Sequence, residues 1–433
     1  MTKNQIPRYF GPVVSLLFFL ILIIILEFIS AYIPTEKNEL EKILLVLEQD
    51  AALFWKQKSH LDTIFDDVKV KTNSIGLRNK EIYRKKGKGV FRIICLGASP
   101  TFGWGVNEDQ MYSYRLQQLL NDNPTLQKDI EVINAGVIGY SSYQGLNFFR
   151  EKIIDYAPDL ITVSYVINDV DKHRFYRSNG KPDKDLEKKN EFWVTLENFL
   201  YQSKTVTLLN HYIMQRQSAA IKNFGKQGKS RYNETRRVSV DEYRANLKAI
   251  IQIARQNGIR VILIKMPVNL PAAENISTAR QLQADSSIER ALAFASTQRF
   301  DESIKALKEA ILYNPYSSKA FYYLGQYSEH IKDENDAQEY FKQALKMELF
   351  ECEKLGKVYN KVMEEVAAEE NVVLVDIVSE FAVYKEKHKT PLFLEYKKDT
   401  IHPNPIGHQI ISQAIYKILM NNAVLFKKND VKI

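Results

Sequence analysis

Five short apolar runs, Phe91–Leu96, Ile130–Ala135, Leu160–Ile167, Arg260–Met266 and Val372–Asp376, alternate with stretches of helical periodicity such as Gln110–Asn121, Tyr143–Tyr156 and Val240–Gln256. Strands that are apolar on both faces belong to parallel sheets covered by helices on each side, because a parallel crossover needs a dozen or more residues and is usually a helix. The expected fold class is therefore α/β, a three-layer α/β/α sandwich of the flavodoxin-like kind with a parallel sheet. In such sheets ligands bind outside the carboxyl ends of the strands.

The rest of the chain hangs on this frame. Tyr9 to Leu26 carries no charge, and apolar character resumes after Glu27 as far as Ile33. About 20 such residues span a bilayer, so 9–33 is expected to be an uncleaved transmembrane anchor. Lys3 and Arg8 precede it, while Lys37 and Lys42 follow among Glu36, Glu39 and Glu41. The positive-inside rule then gives a single-pass protein with 1–8 cytoplasmic and the body on the external or periplasmic side. Residues 34–69 read as a linker with an amphipathic helix from Asn38 to about Lys58. Residues 70–285 and 351–433 make up the α/β domain. It is interrupted by a basic stretch at 177–237, expected to be a solvated loop, with a cap over the site or a contact with an anionic glycan or lipid headgroup as the alternative, and by a helical insertion at 286–350.

That insertion repeats at about 34 residues. The first unit carries Ala291, Phe294, Leu307, Ala310 and Pro315; the second carries Phe321, Leu324, Gly325, Ala337, Phe341 and Ala344. The pattern resembles two tetratricopeptide repeats, with departures at Ser328 and Leu349, and implies a module that docks a protein partner. Two repeats are fewer than normally stand alone, so the module is expected to lean on its parent domain.

Composition narrows the function. The excess of 60 Lys and Arg over 52 Asp and Glu, a net charge of +8, is modest and diffuse and gives no nucleic-acid footprint. Cys95 and Cys352 are the two cysteines, too few for a disulfide framework or a metal-spaced pair. No phosphate loop follows Gly97, Gly103 and Gly105, and His60, His173, His211, His330, His388 and His408 show no metal spacing with carboxylates. No cofactor is expected.

What the strand ends do offer is chemistry. Ser99 follows the first strand, Gly136 closes the second and Asn168 follows the third, all at carboxyl ends. The Ser99 and Gly136 N–H groups and the Asn168 amide are three donors suited to a developing oxyanion, each worth roughly 3–4 kcal/mol in an acyl-transfer transition state. Near the C-terminus, Asp399 stands three residues before His402. In a turn the carboxylate reaches one imidazole nitrogen and leaves the other to face a nucleophile. Asp169 beside Asn168 reads as a structural hydrogen-bonding group, and Arg115, Tyr140 and Trp104 as possible pocket lining.

The stretches LGASPTFGWG, NAGVIGYS, VIND and DTIHPNPIGH, in that order, resemble the four blocks of the SGNH (GDSL-type) hydrolase family over about residues 70–270 and 351–422. The resemblance implies Ser99 as nucleophile, His402 as general base and then acid, Asp399 as its orienter, and Ser99, Gly136 and Asn168 as the oxyanion hole. Two positions depart from the family: Ala98 stands where aspartate is usual and Val166 where glycine is usual. The G-x-S-x-G elbow of α/β-hydrolases is absent. The implied activity is a serine esterase acting on an O-acyl, chiefly O-acetyl, ester of a carbohydrate or lipid. An O-acyltransferase would use the same residues. A membrane scaffold with a vestigial site is the competing class, favoured by the repeats and by Ala98 and Val166.

Overall fold

The computed structural model describes residues 10–33, 39–126, 128–171, 181–209, 212, 236–267, 276–394, 399 and 401–421. About half of the basic stretch 177–237 lies outside them, as do the tail 1–8, His173 and His211; the described half is not the solvated loop expected, since it holds a helix, Glu191–Leu200.

The chain opens with α1, Phe10–Ala31, whose Val14–Ala31 segment has a mean hydropathy of 2.8 and buries none of its length. It is long and apolar enough to cross a membrane. The segment read as linker is more structured than expected. After α2 (Glu39–Val46) come two antiparallel hairpins, β1 (Leu47–Asp50) with β2 (Phe54–Gln57), and β3 (Asp62–Phe65) with β4 (Val68–Lys71). The Asp50 carboxylate accepts the N–H groups of Ala52 and Leu53 and closes the first turn. Asp66 and Asp67 turn the second at φ 50° and 67°, the left-handed pair that a two-residue hairpin demands. Val46, Leu47, Leu53, Phe54 and Trp55 lie in the main core, so this region is a covering layer of the domain.

The α/β frame follows as β5 (Phe91–Gly97), α3 (Ser99–Phe102), α4 (Tyr112–Asn121), β6 (Ile130–Gly136), α5 (Ser142–Phe148), β7 (Leu160–Ser164), α6 (Ile167–Val170), α7 (Glu191–Leu200), α8 (Val240–Gln256) and β8 (Arg260–Lys265). Serine caps fix two of the helix starts: Ser141 with Gln144, and Ser239 with Glu242, form reciprocal capping boxes. The chain then runs through α9 (Thr278–Ser296), α10 (Phe300–Tyr313), α11 (Ser318–His330) and α12 (Glu334–Glu369), and returns through β9 (Val373–Asp376), α13 (Ile377–His388) and α14 (Pro405–Asn421).

The five strands pair in parallel in the order β6-β5-β7-β8-β9. Counted within the sheet this is 2-1-3-4-5, the flavodoxin-like order, with its switch point between β5 and β7. Alternate residues of β5 feed two cores. Ile94 and Leu96 join α5, α8 and the second half of α12, whereas Phe91, Ile93 and Cys95 join α4, α13 and α14. Two apolar faces per strand is what the near-continuous runs require.

The four helices α9–α12 pack consecutively around a separate core that includes Ile288, Ala291, Leu307, Ala310 and Leu324. At Gly325 a Cβ would lie 2.8 Å from the Phe341 ring, so the close approach of α11 and α12 needs glycine there. The boundary expected at 350/351 falls inside α12. That helix starts in the insertion and ends with Tyr359, Met363 and Val366 in the main core, so the insertion is joined to the sheet by unbroken helix.

Trp55 is fully buried and donates its indole N–H to the Ile138 carbonyl at 2.8 Å. Trp55→Ala should therefore cost about 3–5 kcal/mol, as buried tryptophan truncations do, read as a lowered urea midpoint with an unchanged m-value.

Candidate active site

The site is assembled at the switch point. β5 ends on Gly97, Ala98 is extended (φ −100°, ψ −151°), and Ser99 opens the single turn α3. The turn sits close on two strand ends because neither carries a side chain. A Cβ on Gly97 would lie 2.0 Å from Thr101 Oγ1, and one on Gly136 2.2 Å from the Phe102 nitrogen. Thr101 Oγ1 shares a hydrogen bond with Ser164 Oγ (2.9 Å) and accepts the Tyr112 hydroxyl (3.1 Å). Gly103, at φ 84°, and Trp104 donate their N–H groups to the Ser99 carbonyl at 3.1 and 3.2 Å. Ser99 is thereby fixed in position.

His402 comes to it from the far end of the chain. Its Nε2 lies 2.8 Å from Ser99 Oγ and its Nδ1 2.5 Å from Asp399 Oδ2. Asp399 Oδ1 accepts the N–H groups of Ile401 (2.9 Å) and His402 (3.0 Å). Burial works to raise the Asp399 pKa, but the His402 hydrogen bond and charge and these two backbone donors together hold it below the ordinary carboxylate range. An ionised Asp399 accepts a hydrogen bond from Nδ1–H, which fixes the tautomer and leaves Nε2 to accept from the serine hydroxyl. The loop is clamped by Leu394 N–H on the His402 carbonyl (3.0 Å) and Asn404 N–H on the Leu392 carbonyl (2.9 Å). Trp104 stacks on the imidazole at 4.8 Å and 10°, and Phe65 of the second hairpin meets Trp104 edge-on at 4.7 Å.

The donors are arranged differently from the sequence expectation. The Gly136 N–H is already taken by Asn134 Oδ1 at 3.0 Å, and the packing of Thr101 and Phe102 accounts for glycine at that position. Gly139, three residues on, has φ 75° and an N–H with no partner among the described residues. The carbonyls around it are all engaged. Gln57 Nε2 holds the Gly136 carbonyl (3.0 Å), Trp55 Nε1 that of Ile138 (2.8 Å), Arg237 Nη1 that of Gly139 (2.6 Å) and Asn168 Nδ2 that of Tyr140 (3.0 Å). Arg237 is itself fixed by a buried ion pair with Asp183 at 3.0 Å. Asn168 stands on the turn α6 rather than at the strand end, because β7 stops at Ser164 and Val166 leaves the extended region (ψ −62°). One of its amide hydrogens holds the Tyr140 carbonyl, and the second has no partner among the described residues.

Beside Ser99 a small cavity of about 20 Å³ is lined by Ala98, Pro100, Val166, Ile167, Met266 and Ile401. That is room for a methyl group or a water. Of the other residues considered from sequence, Arg115 donates to the Pro405 carbonyl, and Tyr140 is buried with its hydroxyl on the Trp55 carbonyl. His408 is buried neutral, its pKa driven down to about 3 chiefly by burial, and accepts the Tyr112 N–H. Among the described residues no three His, Cys, Asp or Glu side chains converge as metal ligands would. Gln57, Trp55 and Arg237 were not legible as site residues, since each acts on a backbone carbonyl distant in sequence.

No family model matches this sequence, and no curated protein matches it at a significant level. Among solved structures, the fold is similar to that of a lipase/acylhydrolase from Enterococcus faecalis (TM-score 0.36, 14% identity, covering 76% of this chain and 96% of that one). It is also similar to an acetylxylan esterase from Geobacillus stearothermophilus (TM-score 0.38, 14% identity, covering 76% of this chain and 93% of that one).

Asp169 is fully buried. Oδ1 accepts the Ser142 N–H at 2.8 Å, Oδ2 has no partner among the described residues, and burial pushes the pKa up to about 7. The folded chain thus keeps a proton that the unfolded chain, at the ordinary 3.8, gives up. Stability from this group is complete below the unfolded value and is lost as pH rises through the folded one. Wild type should lose stability between about pH 4 and 7 relative to Asp169→Asn, measured as urea midpoints of both proteins across that range.

Proposed function

We propose that this protein is a membrane-anchored serine esterase of the SGNH type that removes a short acyl group, acetyl above all, from a hydroxyl of a carbohydrate or lipid. The observation that carries this reading is the unbroken Ser99–His402–Asp399 chain of hydrogen bonds at 2.8 and 2.5 Å. Ser99 Oγ attacks the ester carbonyl while His402 Nε2 takes its proton, and Asp399 stabilises the imidazolium that forms. The carbonyl oxygen becomes an oxyanion that accepts the N–H groups of Ser99 and Gly139 and the free amide hydrogen of Asn168. The imidazolium then gives its proton to the departing alcohol, leaving an acyl group on Ser99. Water, deprotonated by the same nitrogen, releases it.

The apolar lining of the small cavity beside Ser99, with Ala98, Val166, Ile167 and Met266, supports a short acyl group. In this reading α1 is the membrane anchor, with the domain on the external or periplasmic side by the charge bias of its flanks. The paired helices α9–α12, with a core of their own, suit a repeat-type docking module for a protein partner.

Turnover of p-nitrophenyl acetate by wild type, with a loss of about 10⁴-fold or more in Ser99→Ala, is the expected result. Undiminished turnover in Ser99→Ala, or none in a folded wild type, would remove the esterase. Asn168→Ala should lower kcat by about 10²–10³-fold with KM little changed. Across p-nitrophenyl esters, kcat/KM should fall from acetyl to butyryl, and Val166→Ala should flatten that fall.

A further inference from the structure

An ordinary surface helix turns its apolar face to the body of the protein; α7 does the reverse. At 3.6 residues per turn, Phe192, Trp193, Leu196, Phe199 and Leu200 fall within an arc of about 120°. Four of them are open to solvent: Phe192 at 66%, Trp193 at 58%, Phe199 at 67% and Leu200 at 44% exposure. The opposite side is the one that faces the domain. Val194 is buried there, and Asn198 exchanges two hydrogen bonds with the Gln49 backbone of β1, at 3.0 and 2.8 Å. The chain beyond adds exposed Tyr201 and Leu209.

This apolar arc is continuous with the anchor. Residues 204–209 form a short helical stretch directly after α7, and its start is held by α1. Glu27 accepts the Ser203 hydroxyl (2.7 Å) and the N–H groups of Lys204 and Thr205 (3.1 Å for the latter), while the Ser30 hydroxyl donates to Thr205 Oγ1 at 3.2 Å. At 1.5 Å per residue, about 20 residues of α1 cross the roughly 30 Å hydrocarbon core, so a span beginning at Phe10 leaves it near Ser30. Glu27 and Ser30 thus mark the membrane–water boundary, and residues 203–205 are tied to that level. These contacts also account for a carboxylate inside an otherwise apolar run.

We infer that α7 lies in the interfacial plane of the same bilayer, with Phe192, Trp193, Phe199 and Leu200 among the headgroups and upper acyl chains, as amphipathic interfacial helices and aromatic belts do. This rests on reading α1 as the membrane span. The domain is then held at two points, which fixes its orientation over the membrane where a single helix would leave it free to swivel. The seat is linked to the site. Gln49, on which α7 rests, pairs in the hairpin with Trp55, which holds the Ile138 carbonyl of the loop carrying Gly139.

The test is tryptophan fluorescence of the full chain in phosphatidylcholine–phosphatidylglycerol vesicles whose acyl chains are brominated either at carbons 6 and 7 or deeper. Flotation of the vesicles first checks that the chain is anchored; a chain that stays behind contradicts the α1 reading and the proposal with it. In floated protein, the shallow bromines should quench more than the deep ones. That component should vanish in Trp193→Phe, since Trp55 is buried and Trp104 is stacked in the active site. Phe192→Ser with Phe199→Ser, both at exposed positions, should weaken it with circular dichroism unchanged. A Trp193 component that bromine does not reach, whether left in water or covered by a second copy in cross-linking, would overturn the proposal.

Discussion

The contact on which the rest depends is Thr101 seated on two strand ends that have no side chains. With Gly97 and Gly136 bare, α3 drops onto the edge of the sheet, and the Thr101 hydroxyl ties β7, through Ser164, to α4, through Tyr112. Tyr112 in turn stacks on His408 of α14 and gives it the backbone N–H. One hydroxyl therefore joins β5, β7, α4 and the helix that follows the His402 loop. Ser99 needs no strain to face His402. It is carried there by a turn whose other residues are fully engaged, which is the kind of preorganisation that catalysis by a weak nucleophile requires.

The second constraint is on the loop after β6. Four side chains from three parts of the chain hold its carbonyls: Gln57 that of Gly136, Trp55 that of Ile138, Arg237 that of Gly139 and Asn168 that of Tyr140. Fixing the carbonyls fixes the peptide planes, and the N–H of Gly139 is left over at a positive φ. Buried polar networks are stabilising only when satisfied throughout. This one includes the Arg237–Asp183 ion pair and the Ser141 hydroxyl on Asp183 at 2.7 Å. Nearby, the buried Asp169 Oδ2 and the Tyr165 hydroxyl have no partner among the described residues. The hairpin segment after α1 and Arg237 at the end of the basic insertion are in this way parts of the candidate-site scaffold.

The sheet was legible because buried parallel strands leave an unambiguous trace: four of the five apolar runs coincide with β5, β6, β8 and β9 to within about a residue, and β7 begins as expected at Leu160. Ser99, Asp399 and His402 were legible because each stands at a turn with its own local signal. The hairpins at 47–71 were not, since strands of four residues have too short a period to read and gain stability only from the core they cover. Gly136 and Gly139 look alike in sequence, both small residues at the end of one strand. Which of them offers an N–H depends on the direction of a peptide plane, set by Gln57, Trp55 and Arg237 far away. Asn168 follows the third strand as read, but that strand ends at Ser164 rather than Ile167, because nothing in the residue types of 165–167 announces the break at Val166.

The central claim is that Ser99 is made nucleophilic by His402 and Asp399. The most direct measurement is labelling of the full chain with a fluorophosphonate, followed by mass spectrometry of the modified peptide, on wild type and on His402→Ala. A single adduct on Ser99 in wild type, slowed by orders of magnitude in His402→Ala, is the result expected. An adduct on another serine, or equal labelling of Ser99 without the histidine, would contradict it.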